Sequence, residues 1–173
     1  MWLKFAGSIL IVAAGAWIGF AVAGRYCDRP RQIGQLIGCL TALQNYVNYA
    51  SIPLPEALVN CGSQVDGPVR ELFHHTARTL TACGWQSPRQ ALAGALEVQA
   101  PRLALGNPEQ EVLLQLGANL GFTDRGEQHK YLAMVLDQLG QLEQESRRAR
   151  DQNAKMYRYL GICGGLAVVI LLV

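Results

Sequence analysis

The chain is apolar at both ends and charged between them. No charged residue occurs from Phe5 to Gly24, and none from Tyr159 to Val173. This layout constrains the fold more than any side-chain motif, because two apolar runs around a water-compatible middle are expected to form a membrane hairpin. An α-helix rises ~1.5 Å per residue, so about 20 apolar residues cross a bilayer core. The first run meets that length, with Trp2 and Tyr26 near its ends, where amphipathic rings favour the interface. The second run, YLGICGGLAVVILLV, falls short by roughly a quarter. It crosses only with help from Met156 and Tyr157, from thinning of the bilayer or from tilt. The expected division is a transmembrane helix at 3–24, a helical domain at 25–158 and a transmembrane helix at 159–173.

A cleaved signal peptide is the rival reading of the N-terminus. Lys4 would be its basic start and Ala21-Val22-Ala23 its A-x-A cleavage site. Against it, the apolar run is longer than a usual signal core, and Arg25, Arg29 and Arg31 follow it and oppose translocation. Of 15 Lys and Arg, four lie in residues 1–31 and five in 147–158; of 13 Asp and Glu, only Asp28 and Asp151 lie in those flanks. Residues 32–146 therefore carry six basic and eleven acidic residues, net −5, and the flanks are net +7. Basic residues just inside both runs orient that side to the cytoplasm and suit anionic lipid headgroups. Residues 25–158 are expected in the cytoplasm, with both termini outside it and membrane lipids as partners. The acidic middle, with no interleaved basic and aromatic residues, argues against nucleic acid.

Five cysteines, Cys27, Cys39, Cys61, Cys83 and Cys163, form no C-x-x-C pair. Their odd number fits neither a disulfide framework nor a zinc site, and free, mostly buried thiols in a reducing compartment are expected.

The middle reads as helices. Ile33, Leu36, Ile37, Leu40, Leu43, Val47 and Ala50 recur at three and four residues from Pro30 to Ser51. Pro53 and Pro55 enforce a turn, a short helix follows from Glu56, and Gly62 ends it. Gly67-Pro68 opens a helix with Val69, Leu72, Phe73, Thr76 and Leu80 on one face. Ser87-Pro88-Arg89-Gln90 combines a Ser cap, Pro at the first helical position and Gln three after the cap. Asn107-Pro108-Glu109-Gln110 repeats that signal, followed by Val112, Leu113, Leu116 and Leu120 before Gly121. Thr123-Asp124 is expected to cap the last helix, whose seam is Leu132, Val135, Leu139 and Leu142. Beyond it Glu143 and Arg147 form an i,i+4 pair, and without Pro or Gly between Gly140 and Gly161 the helix continues into the second apolar run. No stretch alternates like a strand. The expected fold is all-α, an antiparallel bundle of about six helices flanked by N- and C-terminal transmembrane helices.

The chain lacks a P-loop, H-E-x-x-H, G-x-S-x-G and a Rossmann fingerprint. Adjacent His74 and His75 point about 100° apart on a helix and cannot chelate one metal from one face. His129 lies near Asp124 and Glu127 with no visible nucleophile, and Cys61 or Cys83 as a catalytic thiol needs a base that cannot be placed. No enzyme activity, cofactor, metal or small-molecule substrate is expected. Gly15-x-x-x-Gly19 and Gly161-x-x-x-Gly165 carry the small-residue spacing that lets membrane helices approach closely, although glycine is also simply common in such helices.

Five segments in order carry a resemblance. They are the N-terminal apolar run, then Arg25-Tyr26 with Arg29-Pro30-Arg31-Gln32-Ile33, then Pro53-Leu54-Pro55-Glu56-Ala57-Leu58, then Leu120-Gly121-Phe122-Thr123-Asp124-Arg125 with Gln128 and Lys130, and finally Tyr157-Arg158-Tyr159-Leu160-Gly161. The whole chain resembles the stage III sporulation protein AB family of endospore-forming bacteria. Gly126 departs from it, since the family more often carries a helix-favouring residue there. The resemblance implies a non-enzymatic membrane platform component of the secretion-like channel complex between mother cell and forespore, in the mother-cell membrane around the forespore. It implies a soluble domain similar to the type II secretion inner-membrane platform protein F. The implied partners are a secretion-type ATPase of the stage III sporulation protein AA type and other membrane channel components. Candidate partner contacts are Glu56, Asp124, Arg125, Glu143 and Arg147. The alternative is a membrane-anchored helical interaction or regulatory module unrelated to an ATPase, using the charged surface of the last helix.

Overall fold

Several helix boundaries fall where proline, glycine and capping residues put them, whereas the first described helix runs through Pro30, where the sequence spacing starts a helix. The computed structural model describes residues 27–46, 52–82, 87–120 and 125–172, with Trp17 and Gly24 besides; at 125, 153–155 and 157–172 it describes the helical backbone alone. The helices are α1 (27–46), α2 (Leu54–Gly62), α3 (Pro68–Ala82), α4 (Pro88–Gln99), α5 (Asn107–Asn119) and α6 (Arg125–Leu172). No strand occurs among the described residues. The all-α bundle of six helices thus stands as the spacing of apolar residues predicts.

Local chemistry explains the starts and stops. Pro53 precedes α2 with an extended backbone that no helix interior adopts, and Glu56 sits in the first turn, where the helix dipole favours it. Gly67, at φ 85, supplies the left-handed residue that lets α3 start at Pro68. At α4 the predicted capping box forms: the Ser87 hydroxyl accepts from the Gln90 N–H at 3.3 Å, and the Ser87 N–H donates to Gln90 Oε1 at 3.4 Å. The cap of α5 falls one residue earlier than the sequence signal suggests. Gly106, not Asn107, is the extended cap residue, and no side chain caps it. Gln110 instead donates from Nε2 to the Leu105 carbonyl at 3.3 Å, so the side chain three residues into the helix ties the entry turn.

The apolar stripes converge on one core. Ile33, Leu36, Leu40 and Leu43 of α1 join Leu58 and Cys61, Val69, Leu72 and Phe73, Leu92 and Leu96, Leu113 and Leu116, and Leu132, Val135 and Leu139 in a single buried cluster. The predicted seam of α6 is buried at Leu132, Val135 and Leu139, with Leu142 packed partly against the core. Val47 and Ala50 lie outside the described residues. Consecutive helices pack on one another, α2 on α3, α3 on α4 and α4 on α5, as short loops require. At the α4–α5 contact, a Cβ on Gly117 would meet Arg89 Cα at 2.9 Å and the Pro88 carbonyl oxygen at 3.3 Å. Only glycine permits that approach of two backbones.

The chain divides into two units: Arg31–Glu143, which contains the whole core, and Met1–Pro30 with Gln144–Val173. In the second unit Pro30 and Ser146 are buried, and Arg150 pairs with the adjacent Asp151 at 2.9 Å.

The flanking transmembrane helices need correction. Among the described residues no helix is long and apolar enough to cross a membrane. The second apolar run, 159–173, continues the last helix as the lack of breakers implies: residues through Leu172 form the end of the 48-residue α6. Its uncharged stretch of 15 residues is short of the ~20 that a bilayer core demands, and charged residues precede it through Arg158. The first expected span, 3–24, lies outside the described residues apart from Trp17 and Gly24. The membrane localisation inferred from the two spans loses its structural support and is withdrawn with them.

Candidate functional site

Two glutamines on α1 organise a surface concavity of the Arg31–Glu143 unit. Gln32, only 7% exposed, donates from Nε2 to the Arg102 carbonyl at 3.5 Å and accepts at Oε1 from the Ala104 N–H at 2.7 Å. The loop after α4 therefore closes on a buried amide. One turn along α1, Gln35 donates to the Asp66 carbonyl at 3.2 Å and so holds the loop before α3. Between these pinned loops lies a concavity of about 650 Å3 lined by Asp66, Arg70, Glu71, His74, Arg78 and Arg102, with Gly67 and Pro68 at its edge. Arg70, His74 and Arg78 stand four residues apart, hence on one face of α3. Arg70 pairs with Asp66 at 3.6 Å. His74 is half-buried, and its Nε2 is enclosed without a hydrogen-bond partner.

A second, smaller groove of about 520 Å3 runs along α5, lined by Arg89, Asn107, Gln110, Glu111, Gln115 and Tyr131 among others. It combines amides with both charge signs, so it favours no one ligand chemistry. An apolar crevice between Leu40, Leu58, Phe73, Leu92 and Leu116 belongs to the core itself.

The arrangement carries no visible catalytic chemistry. Among the described residues no group of three or more His, Cys, Asp or Glu could hold a metal ion. Cys39 and Cys61 are fully buried, and the Cys39 thiol donates to the Cys61 carbonyl at 3.3 Å. Burial pushes the Cys39 thiol up to about 11. Burial, and next the neighbouring Cys39, push Cys61 up to about 12. Neither thiol can act as a thiolate nucleophile near neutral pH. His75 is half-buried like His74, with an enclosed Nδ1, and the two adjacent rings diverge on α3 as helical geometry requires.

The residues singled out in the sequence do not assemble into one site. Glu56 is exposed in the first turn of α2. Glu143 is half-buried, with Oε1 within 3.0 Å of where a Cβ on Gly34 would stand, so it packs against α1. Arg147 is exposed and engaged in an interaction. Arg125 is the first residue of α6, and Asp124 lies outside the described residues. Gly15 and Gly19 also lie outside them, whereas Gly161 and Gly165 are within α6. The concavity residues Arg70, Arg78 and Arg102 escape the sequence reading, and His74 figures there only as a rejected metal ligand. The four-residue spacing of Arg70, His74 and Arg78 on a predicted helix is the signal that could have found them; nothing local marks Arg102.

Comparison with known proteins gives the same answer by three routes. The family model for Stage III sporulation protein AB matches residues 4–173. A similar relative, "Stage III sporulation protein AB" of Bacillus subtilis (strain 168), is 36% identical over 170 residues, covering 98% of this chain and 99% of the relative. A solved structure of a Stage III sporulation protein AB is similar at a TM-score of 0.67 and 33% identity, covering 72% of this chain and 98% of that one.

Proposed function

The chain belongs to the Stage III sporulation protein AB family, and on that premise we propose that it is the platform component of a secretion-like channel complex between mother cell and forespore. It is a non-catalytic, sporulation-associated helical protein. In the proposed role it couples a secretion-type ATPase, of the stage III sporulation protein AA type, to the other components of the complex. The observation that carries this reading is a match along nearly the whole chain to a family whose members bear a sporulation name. The body plan supports it: a helical unit with one core and pinned surface loops suits holding partners. The test is co-purification of the full chain with its cognate ATPase. Retention at matched stoichiometry supports the platform role. Loss of the ATPase from every preparation removes the coupling function and leaves an interaction module that serves other partners.

A further inference from the structure

We infer that the concavity between the Asp66 loop, α3 and the Arg102 loop is the docking site for an acidic peptide segment of a protein partner. Under the platform reading, on which the choice of partner rests, that segment belongs to the ATPase. Residues 31–143 contain seven Lys and Arg against ten Asp and Glu, net −3. Three of those seven basic residues, Arg70, Arg78 and Arg102, line this one depression. Within a net-negative unit, this cluster of three guanidiniums gives an acidic segment a local patch of favourable charge and so directs where it docks.

The lining is built rather than incidental. Gln32 holds the backbone at Arg102 and Ala104, and Gln35 holds the backbone at Asp66, so both rims are tied to one helix. Asp66 is already engaged by Arg70. Arg78 and Arg102 are exposed and have no ion partner among the described residues. Glu71 lines the same wall. Its charge leaves a small positive surplus, which suits single carboxylates spaced along a peptide and penalises a polyphosphate. A volume of about 650 Å3 falls within the range of ligand clefts, roughly 300–1,000 Å3.

The experiment uses the full chain, its Arg78→Glu/Arg102→Glu and Arg78→Ala/Arg102→Ala variants, and the Arg78→Lys/Arg102→Lys control. Each is checked for an unchanged melting curve and then titrated against the cognate ATPase and against a labelled deca-glutamate peptide. The expected result is affinity for both probes that falls with added salt and drops at least about ten-fold in the Glu and Ala variants, with most of it kept by the Lys control. If the wild type binds the ATPase and the charge-reversed variant binds it equally well, the concavity is not the dock, and the platform reading survives without it. If the wild type binds no ATPase, that reading falls. The peptide then decides alone: Arg-dependent binding keeps the concavity as a site for a different acidic protein, and absence of binding overturns it. Equal binding of deca-lysine, or displacement of the peptide by inorganic phosphate at equal concentration, also overturns it.

Discussion

Gly117 shows how one missing methyl group sets a helix contact. Because its neighbours at 2.9 and 3.3 Å are backbone atoms of Arg89 and Pro88, no rotamer change can make room. Gly117→Ala is expected to destabilise the chain by about 1–3 kcal/mol, read from denaturant unfolding, although alanine is the better helix former. A midpoint equal to the wild type would mean that α4 and α5 lie farther apart. Cys39 and Cys61 make a prediction of opposite character. With folded values of about 11 and about 12 against an ordinary 9.0, both thiols stay protonated in the folded chain while the unfolded chain ionises above about pH 9. The unfolded state then binds fewer protons, so stability is fully present below pH 9 and falls as pH rises from there toward 12. A Cys39→Ala/Cys61→Ala chain should lose that slope. At this scale the sequence speaks clearly of types and poorly of roles. Two buried free cysteines are foreseeable from composition, whereas the need for glycine at 117 depends on what stands opposite it.

Among the helices, α4 has the clearest start signal in the chain and the structure uses it in full. Ser87→Ala removes the hydroxyl that accepts the Gln90 N–H and should cost about 1 kcal/mol. Ser87→Asp, which caps as well, should restore most of it; a thermal melt of both variants checks the pair. α5 opens on the similar Asn107-Pro108-Glu109-Gln110 yet caps at Gly106, where no side chain accepts from the first helix N–H groups, while Gln110 Nε2 donates to the Leu105 carbonyl. Helix existence, order and buried faces were thus readable from apolar spacing and proline placement. A cap depends on one or two hydrogen bonds that compete with others of similar strength, and its position moves by a residue without changing the pattern. α6 teaches the limit of reading runs by hydropathy alone. Its continuity from Arg125 to Leu172 follows from the lack of breakers, but the 15-residue apolar end does not make a membrane-crossing helix of it.

The molecule as a whole stands on the single core of residues 31–143, to which all six helices contribute. Leu139 is fully buried in it. Leu139→Asp puts an unpaired carboxylate there at a cost of several kcal/mol, comparable with a total stability of about 5–15 kcal/mol. The expected outcome is loss of the cooperative melt for the bundle rather than a local defect in α6; a normal melt would put that face of α6 outside the core. Family, helical class and the buried faces were determined by the sequence itself, because apolar period and breaker residues act over neighbouring positions, and the matching segments are spread along the chain. The candidate site is only partly local: the four-residue spacing of Arg70, His74 and Arg78 puts them on one face of α3, and tertiary structure brings Arg102 and the Asp66 loop to them. Gln32 and Arg102 are 70 residues apart, as are no two members of a local motif, and Gln35 and Asp66 are 31 apart. Seven basic residues scattered through a net-negative stretch of sequence say nothing of a basic concavity. Packing of α1 beneath the two loops brings Arg102 to the Arg70 and Arg78 that α3 already places on one face, because charge and hydrogen-bond geometry act through space, and the sequence records position along the chain.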